Sequence, residues 1–262
     1  MRGEALVAAL SDRPAVGLDE LIARAELLTR HDRKYLVPSA TAARVVTDLA
    51  EVAVLDIDGR RSFGYASTYF DTPELDAYLA AARRRPRRYK VRTRSYLDAE
   101  RSLVELKVRD RQGHTTKTRL ERPFAERDRL GEPGRAFAAG CPLIGEHAEH
   151  LGPVLTTTYR RATLLLPGNA RATIDSDLVA RTVDGMTVAL EDVVVIETKS
   201  AGPPTVLDRA LWAAHVRPVA ISKYATSLAA IRPDLPSNRW TRALHAPWHV
   251  AGPQAIPARI VA

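Results

Sequence analysis

Seven short segments of this chain repeat charged residues at every second position, most of them with apolar side chains in between. Successive side chains of a β-strand point to opposite faces, so the parity of the residue numbers sorts them. Over residues 87–97, Arg88, Lys90, Arg92 and Arg94 share one face while Tyr89 and Val91 take the other. Over 102–109, Glu105, Lys107 and Arg109 oppose Val104, Leu106 and Val108. Lys117, Arg119 and Glu121 fall together in 113–121, as do Tyr159 and Arg161 in 157–165. Arg171, Thr173, Asp175 and Asp177 group against Ile174 and Leu178. Glu197 groups with Lys199, and Arg30, Asp32 and Lys34 complete the set.

One such strand has an ordinary explanation, because an antiparallel sheet commonly packs one face on a core and wets the other. Seven of them, together charged in both signs and mostly apolar on the reverse, point instead to a shared polar interior. Helical patterns are available to cover the apolar faces. One runs over 16–28 with Leu18, Leu21, Ile22 and Ala25 in register, and one over 39–50 has Ser39 as its N-cap. A third opens at Pro73-Glu74 with Leu75, Tyr78 and Leu79; a fourth spans 204–215 with Leu207, Leu211 and Trp212. Residues 126–152 read as short helices and loops.

Many cations facing one interior repel each other and lose hydration, so the pattern asks for a neutralising ligand. The bulk charge agrees: 39 Lys+Arg against 31 Asp+Glu leave a net charge of +8, which favours polyanionic partners. Cys141 is the single cysteine, which excludes an internal disulfide and a cysteine-built zinc cluster. The apolar stretch Leu6–Leu10 is too short for a secretory leader and no run reaches membrane-spanning length, so a cytoplasmic location is expected.

Other conspicuous residues have structural readings. Asp71, before Thr72-Pro73, is expected to cap a helix. His31 and His114 lie opposite the charged faces and are read as non-catalytic. The basic run Arg83–Arg88 reads first as a solvated helix end, with an entry patch for nucleic acid or polyphosphate as the alternative; only Tyr89 offers an aromatic surface, which speaks against stacking of single-stranded bases.

Seven strings occur in order: Arg30-His-Asp-Arg-Lys-Tyr35, Ser67-Thr-Tyr-Phe-Asp-Thr72, Lys90-Val-Arg-Thr-Arg94, Val104-Glu-Leu-Lys107, Arg171-Ala-Thr-Ile-Asp175, Ile196-Glu-Thr-Lys199 and Ser222-Lys-Tyr224. Their order and spacing resemble the vacuolar transporter chaperone (VTC) domain, within the CYTH-like triphosphate tunnel metalloenzymes. The resemblance implies an α+β fold: a closed antiparallel β tunnel with a polar charged lumen and helices packed outside. The resemblance spans a tunnel domain over 29–231; the periodicity reads 1–28 as a helical lead-in, and the Pro-rich composition reads 232–262 as a tail that is expected to pack irregularly on the surface.

By motif position the resemblance implies Lys34, Arg92, Arg94, Lys107, Arg161 and Glu197 as catalytic residues. Lys90, Lys117, Arg119, Tyr159, Arg171, Lys199, Ser222 and Lys223 would bind substrate, and Glu197 with Glu105 would hold Mn²⁺ or Mg²⁺. The implied activity is metal-dependent phosphoryl transfer, from the ATP γ-phosphate to polyphosphate. The expected partners are therefore ATP or another triphosphate and polyphosphate, with no specific nucleic acid. Two departures bear on this. Arg30 and Asp32 stand where tunnel hydrolases carry a Glu-x-Glu-x-Lys signature, which argues against the two-metal hydrolase pattern, and Val219-Ala220-Ile221 lacks the extra basic residue that polymerase members can carry. A triphosphate hydrolase and a non-catalytic polyphosphate-binding module are the alternatives. Lumenal carboxylates speak for a metal enzyme over a binder, which would gain nothing from them.

Overall fold

The computed structural model describes residues 4–25 and 31–253. Its strands are β1 (Ala15–Val16), β2 (His31–Pro38), β3 (Ala53–Leu55), β4 (Phe63–Asp71), β5 (Arg88–Tyr96), β6 (Arg101–Arg109), β7 (Thr115–Arg122), β8 (Gly152–Leu166), β9 (Ala170–Thr182), β10 (Thr187–Leu190), β11 (Val193–Ser200) and β12 (Trp248–Ala251). The helices are α1 (Glu4–Ser11), α2 (Leu18–Ala25), α3 (Ser39–Asp48), α4 (Asp76–Ala82), α5 (Gly131–Ala139), α6 (Val206–Ala213), α7 (Lys223–Ile231) and α8 (Thr241–Leu244).

The strands form one sheet, antiparallel except for the short β1–β3 pair. Its main path runs β7-β6-β5-β4-β8-β9-β11-β2. In a flat sheet the six steps from β6 to β2 would span about 29 Å. Yet Lys107 on β6 has its pKa lowered first by burial and then by the charge of Lys34 on β2. The sheet therefore curls until its ends face each other. It does not close: among the described residues β7 and β2 share no backbone pairing. The expected closed tunnel is instead a channel with an unpaired seam.

The outer face of β2, β8, β9 and β11 carries Tyr35, Val37, Leu164, Ala172, Ile174 and Ile196, which pack beneath α1, α3 and α6. On the β5–β6 side Val91, Val104 and Leu106 pack beneath α5 and the turn before β8. α6 begins where expected from its apolar stripe, because Thr205 and Asp208 form a reciprocal capping box. α3 differs in one detail: Pro38 occupies the N-cap position and Ser39 is the first helical residue, its N–H donating to Asp192 O. α4 starts at Asp76, not at Pro73-Glu74, because Leu75 adopts a left-handed conformation (φ 61). Asp71 caps it as predicted, accepting from the N–H groups of Thr72, Ala77 and Tyr78 and from Tyr224 Oη. The predicted 16–28 helix is seen as α2, and residues 26–28 lie outside the described residues.

Two features depart from expectation. Not every helix is outside: α7 lies on the concave face, where Tyr224 and Leu228 pack on Tyr69, Leu155, Leu178 and Val195 and fill one end of the channel. The described part of the tail, 232–253, is not irregular either, and residues 254–262 lie outside the described residues. Trp240 is buried against Tyr78, and β12 adds to the sheet beside β10. No described helix is long and apolar enough to cross a membrane.

Candidate phosphate-binding channel

The parity pattern places the predicted residues on the concave face. Register pairs Lys90 with Lys107 and Arg92 with Glu105, then Lys107 with Lys117 and Glu105 with Arg119. Across the sheet Arg161 sits opposite Asp175, Glu197 opposite Lys34, and Lys199 opposite Arg171. Ser222 and Lys223 come from another quarter, as the N-cap and first residue of α7.

Three carboxylates organise these cations, each differently. Glu105 is buried, and Arg92 donates to its Oε2 from Nε at 2.9 Å and Nη2 at 2.6 Å. Arg119 Nε donates to Oε1 at 3.1 Å, Lys117 bonds the same oxygen, and Arg94 Nε stands 3.6 Å from Oε2. Burial alone would raise the Glu105 pKa, but Arg92, Arg94 and Lys117 together hold it well below the carboxylate range. Asp175 takes Arg161 as a two-point fork, at 2.6 and 2.8 Å, and Lys223 on Oδ2. Burial opposes ionisation there too, yet Arg161 and Lys223 bring its pKa down to about 2.

Glu197 is held more loosely. Lys34 Nζ lies 3.5 Å from one oxygen and Lys199 Nζ 3.2 Å from the other. Burial would raise its pKa, but Lys34, Lys199, Arg161 and Lys223 outweigh that and keep it ionised.

Lys90 has no such counterion. Its Nζ donates to Ser222 Oγ at 2.9 Å and lies 5.7 Å from the centre of the Tyr69 ring. Among the described residues it forms no ion pair with a carboxylate. Burial, then Arg92, Lys34, Lys107 and Lys223, push its pKa well below the lysine range. Lys107 and Lys199 are lowered as well, first by burial. This is the charge pattern expected of a site that awaits an anion.

Aromatic rings support the arginines. The Arg161 guanidinium lies 5.1 Å from the Tyr65 ring centre and 5.3 Å from that of Tyr159, and the two rings stack at 5.4 Å. Lys223 Nζ stands 4.4 Å from the Tyr159 ring centre. Burial would raise the Tyr159 pKa, but Arg161, Arg94 and Lys223 bring it down instead.

Sequence reasoning named neither Asp175 nor the tyrosines Tyr65 and Tyr69 as part of the site. Asp175 was legible, since it shares the parity of Arg171 and Thr173. Asp177, grouped with it by parity, is not there: it takes a left-handed conformation (φ 54), and the strand bulges so that Asp177 is exposed while Leu178 turns inward. Glu121 also stays outside, paired with Arg101 on an exposed edge. His31 and His114 are exposed, away from the channel.

A metal needs open oxygens. Among the described residues no three His, Cys, Asp or Glu side chains cluster to hold one. Glu197 suits a Mg²⁺ or Mn²⁺ ion that takes one or two carboxylates and completes its shell with substrate phosphates and water. Glu105 does not fit, because four cations already crowd its two oxygens.

Fold and site together define an α+β protein with a basic channel on the concave face of its sheet. Residues 29–232 match the VTC domain family, and the chain belongs to that family. No curated protein matches. Among solved structures, a putative adenylate cyclase from Bacillus halodurans is similar at 16% identity and TM-score 0.45, covering 74% of this chain and 94% of its own. A putative adenylyl cyclase from Hippeastrum, described as having a dominant triphosphatase activity, is similar at 14% identity and TM-score 0.47, covering 76% and 94%. A conserved hypothetical protein from Pyrococcus furiosus follows at 10% identity and TM-score 0.37, covering 71% and 88%.

Proposed function

We propose that this protein binds the phosphate chain of ATP and of polyphosphate on its concave face and transfers the ATP γ-phosphoryl group to the end of the polyphosphate. The observation that carries this is Lys90, a half-buried lysine with a serine hydroxyl for a partner and four further cations around it. Such an arrangement becomes favourable when an anion of high charge density enters.

In the reaction, an ionised terminal oxygen of the polyphosphate attacks the γ-phosphorus and the bond to the ADP oxygen breaks. The acceptor oxygen carries no proton, so no general base is needed, and no protein nucleophile takes part. What remains for the chain is positioning and neutralisation of charge. Arg92, Arg94 and Arg161 offer planar forks to non-bridging oxygens; Lys34, Lys90, Lys107, Lys117, Lys199 and Lys223 supply point charges. Arg119, Arg171, Tyr159 and Ser222 line the same path. Glu197 would hold Mn²⁺ or Mg²⁺, which when bound neutralises phosphate charge and orients it. Glu105, saturated with cations, acts as their organiser.

The test is to incubate the purified protein with ATP and Mn²⁺ and measure polyphosphate and free phosphate separately. Long-chain product that disappears in Glu197→Gln, with the fold intact by circular dichroism, is the expected result. Phosphate alone would make the protein a hydrolase. Tight polyphosphate binding without turnover would make it a binding module.

A further inference from the structure

We propose that Arg84, Arg88, Arg109 and Arg239 form a second phosphate-chain site, at the α4 end of the channel, which takes the length of a long polyphosphate that runs on past Lys90. This rests on the proposal that the channel itself binds phosphate chains.

The register extends in that direction. Arg88 pairs with Arg109 one same-face step beyond Lys90 and Lys107, about 7 Å further along the strands. Arg239 is brought to the same place by the docked tail: Tyr78 Oη donates to Pro236 O, Trp240 packs on Tyr78, and Arg239 Nη1 donates to Ala81 O at 2.8 Å. Arg84 lies in the turn that follows α4. Arg239 falls beyond the family match, which ends at residue 232, so this feature belongs to this chain's own tail.

None of the four makes an ion pair with a carboxylate among the described residues. Arg88 Nη1 and Arg239 Nη1 donate to backbone carbonyls, and Arg109 Nε is buried with no hydrogen-bond partner. The nearby acid Asp110 is engaged by His114. Other exposed arginines do pair with carboxylates, as in Arg60–Asp98, Arg101–Glu121 and Arg232–Asp234. Arg84 N–H and Arg239 Nη1 both donate to Ala81 O, and after burial the charges of Arg109 and Arg239 lower the Arg88 pKa. A patch of unneutralised guanidinium groups suits a flexible chain of phosphates. Nucleic acid is the poorer fit, since Trp240 and Tyr78 are buried and present no ring for a base to stack on.

Affinity for tripolyphosphate and for long-chain polyphosphate should be measured over a range of salt for the wild type, Arg84→Gln and Arg84→Gln/Arg239→Gln. The long chain should bind the wild type more tightly than tripolyphosphate does. The double variant should lose about tenfold on the long chain, with a shallower salt dependence, and nothing on tripolyphosphate. The exposed Arg84→Gln, which carries no fold-supporting bond, should show part of the same selective loss. Equal loss on both ligands, or none on the long chain, overturns the proposal. Displacement of the long chain by single-stranded RNA of equal charge overturns it in favour of a nucleic-acid site. If tripolyphosphate fails to bind the wild type, the channel reading falls, while long-chain binding that depends on Arg84 and Arg239 would leave this second site standing.

Discussion

Lys90 Nζ donates to Ser222 Oγ across 2.9 Å, joining β5 to the N-cap of α7. The same hydroxyl accepts from Ala225 N–H and so starts the helix that fills one end of the channel. Lys223, next in sequence, reaches Asp175 on β9. The start of α7 thereby ties two walls of the channel together, and its N-terminal dipole adds to the positive field there.

Lys90 is held at a cost to the fold, which gives its replacement opposite effects on stability and binding. Lys90→Met removes a half-buried cation that lacks a counterion and keeps the stem's volume. Melting temperature should rise, by about 2–4 °C for each kcal/mol recovered. Tripolyphosphate affinity should fall by about a hundredfold, in line with about 1.5–3 kcal/mol for a hydrogen bond to a charged group. Thermal unfolding and titration calorimetry read the two effects, and a destabilised variant with unimpaired binding would contradict the assignment.

Glu105 should behave in the opposite sense. Glu105→Gln leaves Arg92, Arg94, Lys117 and Arg119 around a neutral group, which should cost about 3–5 kcal/mol, as when one partner of a buried pair is removed. Tripolyphosphate can replace the lost charge, so its addition should raise the melting temperature of the variant more than that of the wild type. Any Mn²⁺ dependence of binding should survive in this variant. Loss of that dependence would restore Glu105 as a metal ligand.

Much of this architecture is written in side-chain parity, because period two is fixed by the pleat. Arg88 to Arg94, Glu105 to Arg109 and Lys117 to Arg119 fall on the concave face as their numbers require. Parity fails where the backbone leaves the pleat. The bulge at Asp177 sends a carboxylate out and Leu178 in, and no local signal in Asp175-Ser-Asp-Leu178 announces it. The position of α7 was hidden for another reason. Its apolar residues suit the outside of a sheet as well as the inside, and the apolar end of the channel that receives them comes from long-range contacts among Leu155, Leu178 and Val195. Closure of the barrel is equally a matter of edges: β7 and β2 look like ordinary strands in sequence, and only the ladder shows them unpaired with each other.

Binding should weaken at alkaline pH. Burial lowers the pKa of Lys117 to about 8 in spite of the adjacent Glu105 charge. A bound phosphate chain favours the protonated form, so above about pH 8 the complex must take up a proton as it forms. Affinity is then complete below the free-protein pKa and falls as pH rises through it, by up to tenfold per unit for each such lysine. Lys90, lowered by burial and by its cationic neighbours, adds to the loss. Calorimetry in two buffers of different ionisation enthalpy should show proton uptake on the alkaline side of pH 8 and little below it. Lys117→Arg should reduce that uptake. An affinity independent of pH across this range would rule the coupling out.

Asp208 separates the scaffold from the channel. Its fully buried carboxylate accepts from Tyr35 Oη at 2.6 Å, Thr198 Oγ1 at 2.7 Å and Thr205 N–H at 2.7 Å, with Arg33 Nη1 at 3.6 Å. Tyr35 in turn accepts from Trp212 Nε1. The network pins α6 to the outer face of β2 and β11, on the reverse of Lys34 and Glu197. Asp208→Ala removes the shared acceptor, and the stranded donors should cost about 3–5 kcal/mol. Asp208→Asn keeps one oxygen and should cost less. Well below its melting temperature the alanine variant should still bind tripolyphosphate within about twofold of the wild type, because the lost contacts act on the fold as a whole and the cations face the other way. A large loss of affinity in a folded Asp208→Ala protein would mean that the outer helix sets the channel's geometry.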